Sequence, residues 1–284
     1  MKVLLLGHNG QLGKIIKNKL QKKIKIYIDS KYNKKIIEKN NFINLYNEIK
    51  PDIILNSIAY TQVDNAENNN EAFKINSNFI KKIGKIITEE TLFIHFSTDY
   101  VFDGLKNNPY LITDYPKPLN NYGQSKLEGE KYIQNLMNNY IIIRTSALFS
   151  SLGNNFVKKM CELINNNKEI NVVNDQYFVP TPCEDLANII YKILLNYSKK
   201  NIYKDLYHFV GSGSSLSWYE FAILINKILG SKNKISSISS YELNLPAKRP
   251  KYSVLSDKLI REKYSFEEQS WENFLNHAIK EIKS

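Results

Sequence analysis

Cysteine is scarce in this chain, with only Cys161 and Cys183 in 284 residues. Two distant thiols without metal-ligand spacing provide no disulfide framework and no metal site, and point to reduced thiols in the cytoplasm. Arginine is nearly as scarce: Arg144, Arg249 and Arg261 stand among 39 basic residues. The net charge of +11 is therefore lysine charge, scattered among asparagines and isoleucines. Nucleic-acid readers lean on arginine and on basic patches with stacking aromatics. No such patch is present, so nucleic acid is not an expected partner, although a basic surface can attract a small anionic substrate. No apolar run reaches the length of a membrane span, and the first residues enter a strand without a basic flank or cleavage site. The expectation is a cytoplasmic protein with neither a signal peptide nor a membrane partner. There is also no internal repeat, and no linker long enough to separate an independent domain.

What is present is ordinary globular material, 43% hydrophobic and 24% charged, enough for one large core or a core plus a smaller lobe. The chain opens on a short apolar run, Val3–Leu6, then glycines three apart at Gly7, Gly10 and Gly13, then a helical pattern at Ile15, Ile16 and Leu20. Strand, tight turn and helix in that order place backbone amides where they can cradle a pyrophosphate. The spacing is one residue off the commonest dinucleotide fingerprint, and a plain strand-to-helix turn accounts for the glycines equally well. A second apolar run ends in Asp29, about twenty residues on, where a carboxylate binds the ribose of a dinucleotide.

Val3–Leu6, Ile24–Ile28, Ile53–Asn56, Leu92–Ser97 and Ile141–Arg144 read as strands, with helical stretches near 13–22, 67–90 and 122–138. Such alternation predicts an α/β fold, a Rossmann-type doubly wound parallel sheet. Ligands in these sheets bind beyond the carboxyl ends of the strands. Gly7, Asp29, Asn56 to Ala59, Ser97-Thr98 and Thr145-Ser146 all fall there. After about residue 145 the rhythm changes. Residues 1–145 are expected to form the dinucleotide-binding domain. Residues 146–284 are expected to form mainly a smaller C-terminal substrate-binding lobe, with some elements returning to the main sheet.

Tyr122 and Lys126 lie one helical turn apart, downstream of Ser97-Thr98-Asp99-Tyr100. A phenol can donate a proton to a carbonyl oxygen, and a cation at i+4 holds it and eases proton release. An exposed helix pair has the same spacing, and 19 tyrosines make chance pairs common. His8 in the turn and His95 inside a strand are poor catalytic candidates. Arg144 suits an ion pair at least as well as a ligand role.

The motifs Gly7-His8-Asn9-Gly10-Gln11-Leu12-Gly13, Ser97-Thr98-Asp99-Tyr100-Val101-Phe102-Asp103-Gly104, Tyr122-Gly123-Gln124-Ser125-Lys126, Arg144-Thr145-Ser146 and Arg249-Pro250 carry a resemblance over nearly the whole chain. It resembles the extended short-chain dehydrogenase/reductases, and within them the branch that reduces the C4 keto group of dTDP-4-dehydro-L-rhamnose to dTDP-L-rhamnose. The resemblance implies a nucleotide-sugar substrate, NADPH or NADH as cofactor, no metal in the site and a homodimer. It implies that Tyr122 is the general acid, that Lys126 bonds the nicotinamide ribose and that Thr98 bonds the reacting oxygen or the phenol. Gly7, Gly10, Gln11, Leu12 and Gly13 would hold the pyrophosphate, Asp29 the adenosine ribose, and Ala59, Tyr60 and Thr61 the nicotinamide side. Asp99, Ala147 and Arg249 would face the substrate, Arg249 at its diphosphate. Three positions depart from the pattern. Ala147 stands for a tryptophan, Ile112 for a glutamate and Phe178-Val179 for a small residue. Asp29 favours NADH, while Lys31, Lys34 and Lys35 nearby suit a 2′-phosphate. Two other functions fit the resemblance. One is reduction of another nucleotide-linked 4-keto-6-deoxy sugar. The other is a non-catalytic cofactor-binding role like that of the regulatory subunit of methionine adenosyltransferase.

Overall fold

The structure, a computed structural model, describes residues 1–38, 40–166 and 169–283, and of Asn33 and Lys34 the backbone alone. Lys34, one of the three lysines expected near a 2′-phosphate, has its side chain outside the described residues.

The main sheet is built from β1 (Val3–Leu6), β2 (Ile26–Ile28), β3 (Ile53–Asn56), β4 (Leu92–Thr98), β5 (Tyr140–Thr145) and β6 (Lys204–His208). Its strand order is β6-β5-β4-β3-β1-β2, with every pairing parallel. The order reverses between β1 and β3, which makes that crevice the place where a ligand binds. The first five strands read as near-continuous apolar runs because helices cover both faces of the sheet. The two faces separate by period two. Leu92, Ile94 and Phe96 of β4 pack on one side with the helices Gln11–Leu20 and Cys183–Leu195. Phe93 packs on the other with Phe42, Phe79, Ile80 and Ile133.

The long helix expected over 67–90 is interrupted. A 3₁₀ turn at Asn65–Glu67 precedes Glu71–Phe73, a π-turn at Lys74–Asn78 and a helix at Phe79–Gly84. Asparagines compete for backbone hydrogen bonds here: Asn69 Nδ2 donates to the Asn65 carbonyl and Asn69 Oδ1 accepts from Glu71 N–H. The π-turn turns Asn76 inward, where its amide grips both the N–H and the carbonyl of Tyr60 at 2.8 and 3.1 Å. The helix that carries Tyr122 and Lys126 runs Asn121–Leu136 and is capped by Asn120, whose Oδ1 accepts from Gly123 N–H at 2.8 Å.

Beyond residue 145 the chain builds a second apolar core around Phe149, Phe178, Phe221 and Trp271. It then sends β6 back to pair with β5 in register from Lys204–Tyr140 to His208–Arg144.

Candidate active site

The turn after β1 sets the floor of the site. Gly10 N–H donates to Gly7 O at 2.9 Å, and Gly7 sits at φ +80°, a left-handed conformation that costs glycine little. A Cβ on Gly13 would lie 2.1 Å from the Gly7 carbonyl oxygen, so the helix packs directly on the turn. The first turn of that helix carries no acidic residue, and its free N–H groups and dipole suit an anion.

Above it lies a cavity of about 450 Å³. Gly10, Gln11 and Leu12 enter it from β1, Ser57, Ile58, Ala59 and Thr61 from β3, and Phe96 to Asp99 from β4. Thr145, Ala147 and Leu148 line it beyond β5, and Tyr122 and Lys126 close it from their helix. The Ser97 hydroxyl is buried without a hydrogen-bond partner among the described residues. Phosphate-binding amides, an unsatisfied hydroxyl and a buried cation are a donor set that fits a dinucleotide.

A second cavity of about 260 Å³ adjoins the first and draws on the C-terminal half through Ser146, Gln176, Tyr177, Phe178, Trp218, Pro250 and Ser253. The two share Thr61, Thr98, Asp99, Tyr122 and Ala147. The phenol and the threonine hydroxyl therefore stand where the spaces meet. Ala147 leaves room on this wall, and the aromatic surface comes from Trp218, whose ring lies 4.0 Å from that of Phe178.

Burial pushes the Tyr122 phenol up to about 12, with the Thr98 hydrogen bond opposing and the charge of Asp99 adding to the rise. Lys126 is pushed down to about 8 by burial, against the charge of Glu130. Its Nζ donates to Phe96 O and lies 3.1 Å from His95 Nε2. Asp99 is raised to about 6 by burial although hydroxyls of Ser253, Ser146 and Thr98 bond it. Thr98 Oγ1 donates to Asp99 Oδ1 at 3.0 Å and Ser146 Oγ to Oδ2 at 2.8 Å.

Other residues singled out in the sequence lie outside both cavities. Asp29 is buried, its carboxylate taken by Gly7 N–H at 3.3 Å and by the His8 imidazole. Tyr60 is pinned by Asn76 beside the lining residues Ala59 and Thr61. Arg249 makes a bidentate pair with Asp64, at 3.1 and 2.7 Å. Arg144 does the same with buried Glu130, at 3.0 and 2.7 Å, and is an ion-pair partner rather than a cavity residue. Asn76 and Trp218 went unremarked in the sequence, His95 was set aside as a residue inside a strand, and Asn56 counted only as a strand end. For His95 a signal existed: period-two alternation puts it on the Phe93 side of β4, the side on which the Tyr122–Lys126 helix packs.

A family model described as "RmlD substrate binding domain" matches residues 1–284. The chain is 34% identical to the dTDP-4-dehydrorhamnose reductase of Sinorhizobium fredii over 98% of its own length and 97% of the relative's. It is 36% identical to the enzyme of that name from Escherichia coli K12, over 82% and 81%. Among solved structures, dTDP-4-dehydrorhamnose reductase from Bacillus anthracis in complex with NADP superposes with a TM-score of 0.87 at 33% identity, covering 99% of this chain and 98% of that one.

Proposed function

Since the chain belongs to the RmlD substrate binding domain family, we propose that it reduces the C4 keto group of dTDP-4-dehydro-L-rhamnose to dTDP-L-rhamnose with NADPH or NADH. The observation that carries this reading is the meeting of the two cavities at Thr98 and Tyr122. One space has the donors for a dinucleotide, the other has polar and aromatic walls for a nucleotide sugar, and a proton donor stands between them.

The nicotinamide supplies a hydride when bound. Gly10, Gln11 and Leu12 hold the pyrophosphate, with Gly7 and Gly13 shaping the turn. Ala59 and Thr61 flank the nicotinamide side, and Lys126 holds its ribose. Tyr122 gives its proton to the C4 oxygen, and the Thr98 hydroxyl supports the phenol during that transfer. A buried phenol is a weak acid, so charge developing on the substrate oxygen must draw its proton, and a water-poor cleft favours this. Asp99 and Ala147 border the sugar. Residues 1–145 supply fourteen of the eighteen residues that line the larger cavity, and the later part of the chain eight of the fourteen that line the smaller one, which supports a division into a cofactor domain and a substrate lobe.

No described helix is long and apolar enough to cross a membrane. The reading extends to a cytoplasmic homodimer, as the wider resemblance implies, and light scattering on the purified protein tests the dimer.

The test of activity offers purified protein NADH or NADPH with a panel of nucleotide-linked 4-keto sugars and follows cofactor absorbance. Oxidation with the dTDP-rhamnose precursor alone supports the reading. Oxidation with a different sugar alone replaces the substrate, and cofactor binding without turnover of any sugar refutes an enzymatic role.

A further inference from the structure

The smaller cavity has an aromatic wall that the proton transfer described above does not use. Its base is the pairing of Tyr177-Phe178 with Leu216-Ser217, in which Phe178 stands opposite Leu216 and Tyr177 opposite Ser217. Ser217 also starts the helix Trp218–Leu229 through a capping box. Its hydroxyl accepts from Glu220 N–H at 3.2 Å, and its own N–H donates to Glu220 Oε2 at 2.7 Å. One residue thus fixes the strand register and the helix start together, and Trp218, next in the chain, is set against Phe178. The two rings lie 4.0 Å apart, and Phe156 braces the indole from 4.6 Å. Phe178 is buried and Trp218 only partly so.

Ala147 borders this cavity and the cofactor cavity as well. Its backbone is left-handed, at φ +42°, a conformation that an alanine keeps only where its surroundings over-determine it. Thr181 does so: its N–H donates to the Ala147 carbonyl at 3.3 Å and its hydroxyl to the Ser146 carbonyl at 2.5 Å. A methyl is all that this position contributes, where the resemblance leads one to expect an indole. A phenyl ring stands at 178, where it leads one to expect a small residue. The bulk of the wall has moved from one position to the other.

We propose that Phe178 and Trp218 form the apolar face that receives the C6 methyl and adjoining ring carbons of the sugar, in place of the large side chain that Ala147 lacks. The proposal rests on the reductase reading and names the part of the substrate that this wall selects. With the C4 oxygen at Tyr122 and Thr98, the sugar ring fills the cavity that those two residues share with Phe178 and Trp218. A 6-deoxy-4-keto sugar is polar around most of its rim. Its methyl, on the carbon next to C4, is its apolar corner. Asp99 and Gln176 give the cavity polar lining for hydroxyls, and the aromatic pair gives it a place for the methyl. A 6-hydroxyl against those rings would lose its water without gaining a partner.

Binding measurements test this without turnover. The probes are dTDP-L-rhamnose and dTDP, which differ by the sugar. In Trp218→Ala, calorimetry should show the affinity for dTDP-L-rhamnose falling about tenfold, with that for dTDP within twofold of the unaltered protein. Trp218→Phe, which keeps an aromatic face, should recover most of the loss. Equal weakening of both ligands would put the pair against the base or phosphates, or in the fold at large, and overturns the proposal. Unchanged affinity for both overturns it too. If the unaltered protein binds neither probe, the reductase reading falls and this proposal with it. If Trp218→Ala does not fold, acrylamide quenching of the unaltered protein decides. The chain has two tryptophans and Trp271 is buried, so the emission open to quenching belongs to Trp218. Shielding by dTDP-L-rhamnose and not by dTDP supports the proposal, and equal shielding by dTDP overturns it.

Discussion

Gly123 and the backbone of Tyr100 are in such close contact that a Cβ on the glycine would sit 2.2 Å from the Tyr100 carbonyl oxygen. This contact presses the first turn of the Asn121–Leu136 helix against the loop after β4, and so sets Tyr122 beside Thr98. In Gly123→Ala the helix start must retreat from that loop, carrying the phenol with it. A displacement of about 1 Å at a reacting group costs roughly a hundredfold. Steady-state kinetics should show kcat falling by that order while cofactor affinity, measured by fluorescence quenching, stays within a few fold. Unchanged kcat would mean that the contact does not position the acid.

Tyr122→Phe removes the proton donor without changing the shape of the cavity wall. General acid catalysis is worth about 10²–10⁴-fold, and kcat should fall by that amount with cofactor binding retained. Thr98→Val should act in the same direction more weakly, because it removes the hydrogen bond that opposes the rise of the phenol toward 12. A Tyr122→Phe enzyme with full turnover would hand the acid role to another group at the junction of the cavities.

Much of this arrangement was legible in the chain. The parallel sheet follows from apolar runs alternating with amphipathic stretches, and the turn follows from the spacing of Gly7, Gly10 and Gly13. Other features depend on long-range pairing, which one-dimensional spacing does not encode. Nothing local distinguishes the Arg249–Asp64 pair, whose partners lie 185 residues apart, from an arginine free to meet a phosphate. The same holds for Asp29, whose bonds from His8 and Gly7 N–H no local pattern announces. Trp218 was hidden because nothing local separates an aromatic at a helix start, just past the cap Ser217, from one packed in the core. The π-turn at Lys74–Asn78 was hidden because the pull of Tyr60 on Asn76 is tertiary.

The Arg249–Asp64 pair ties the segment before Pro250 to the loop beside Val63, and both Pro250 and Val63 line the smaller cavity. Asp64 also accepts from Ala247 N–H at 3.3 Å. The pair is half-buried, so its coupling should fall between exposed and buried values, about 1–2 kcal/mol in a double-mutant cycle. Arg249→Met and Asp64→Asn should each raise the KM for the sugar nucleotide several-fold and leave the KM for the cofactor nearly unchanged. Equal changes in both constants would show that the pair serves the whole fold rather than the substrate wall.

Asp99 gives the stability a pH dependence whose sign is fixed by its burial. Its carboxyl is raised from 3.8 to about 6 in the folded chain, so between those values the folded state holds a proton that the unfolded state has released. Stability from this group is complete below about pH 4 and is lost as pH rises through about 6. A rise of that size corresponds to about 3 kcal/mol. Asp185, also raised to about 6, contributes in the same direction, so the clean measurement is a difference between proteins. Asp99→Asn keeps an oxygen for the Thr98 hydroxyl and presents an amide to Ser146 and Ser253, whose hydroxyls can rotate to accept. Denaturant unfolding at pH 4.5 and pH 7.5 should show the variant losing less stability than the unaltered chain across that interval, by about 2 kcal/mol. Equal losses in the two proteins would mean that Asp99 is ionised throughout, held by its three hydroxyl donors against the cost of burial.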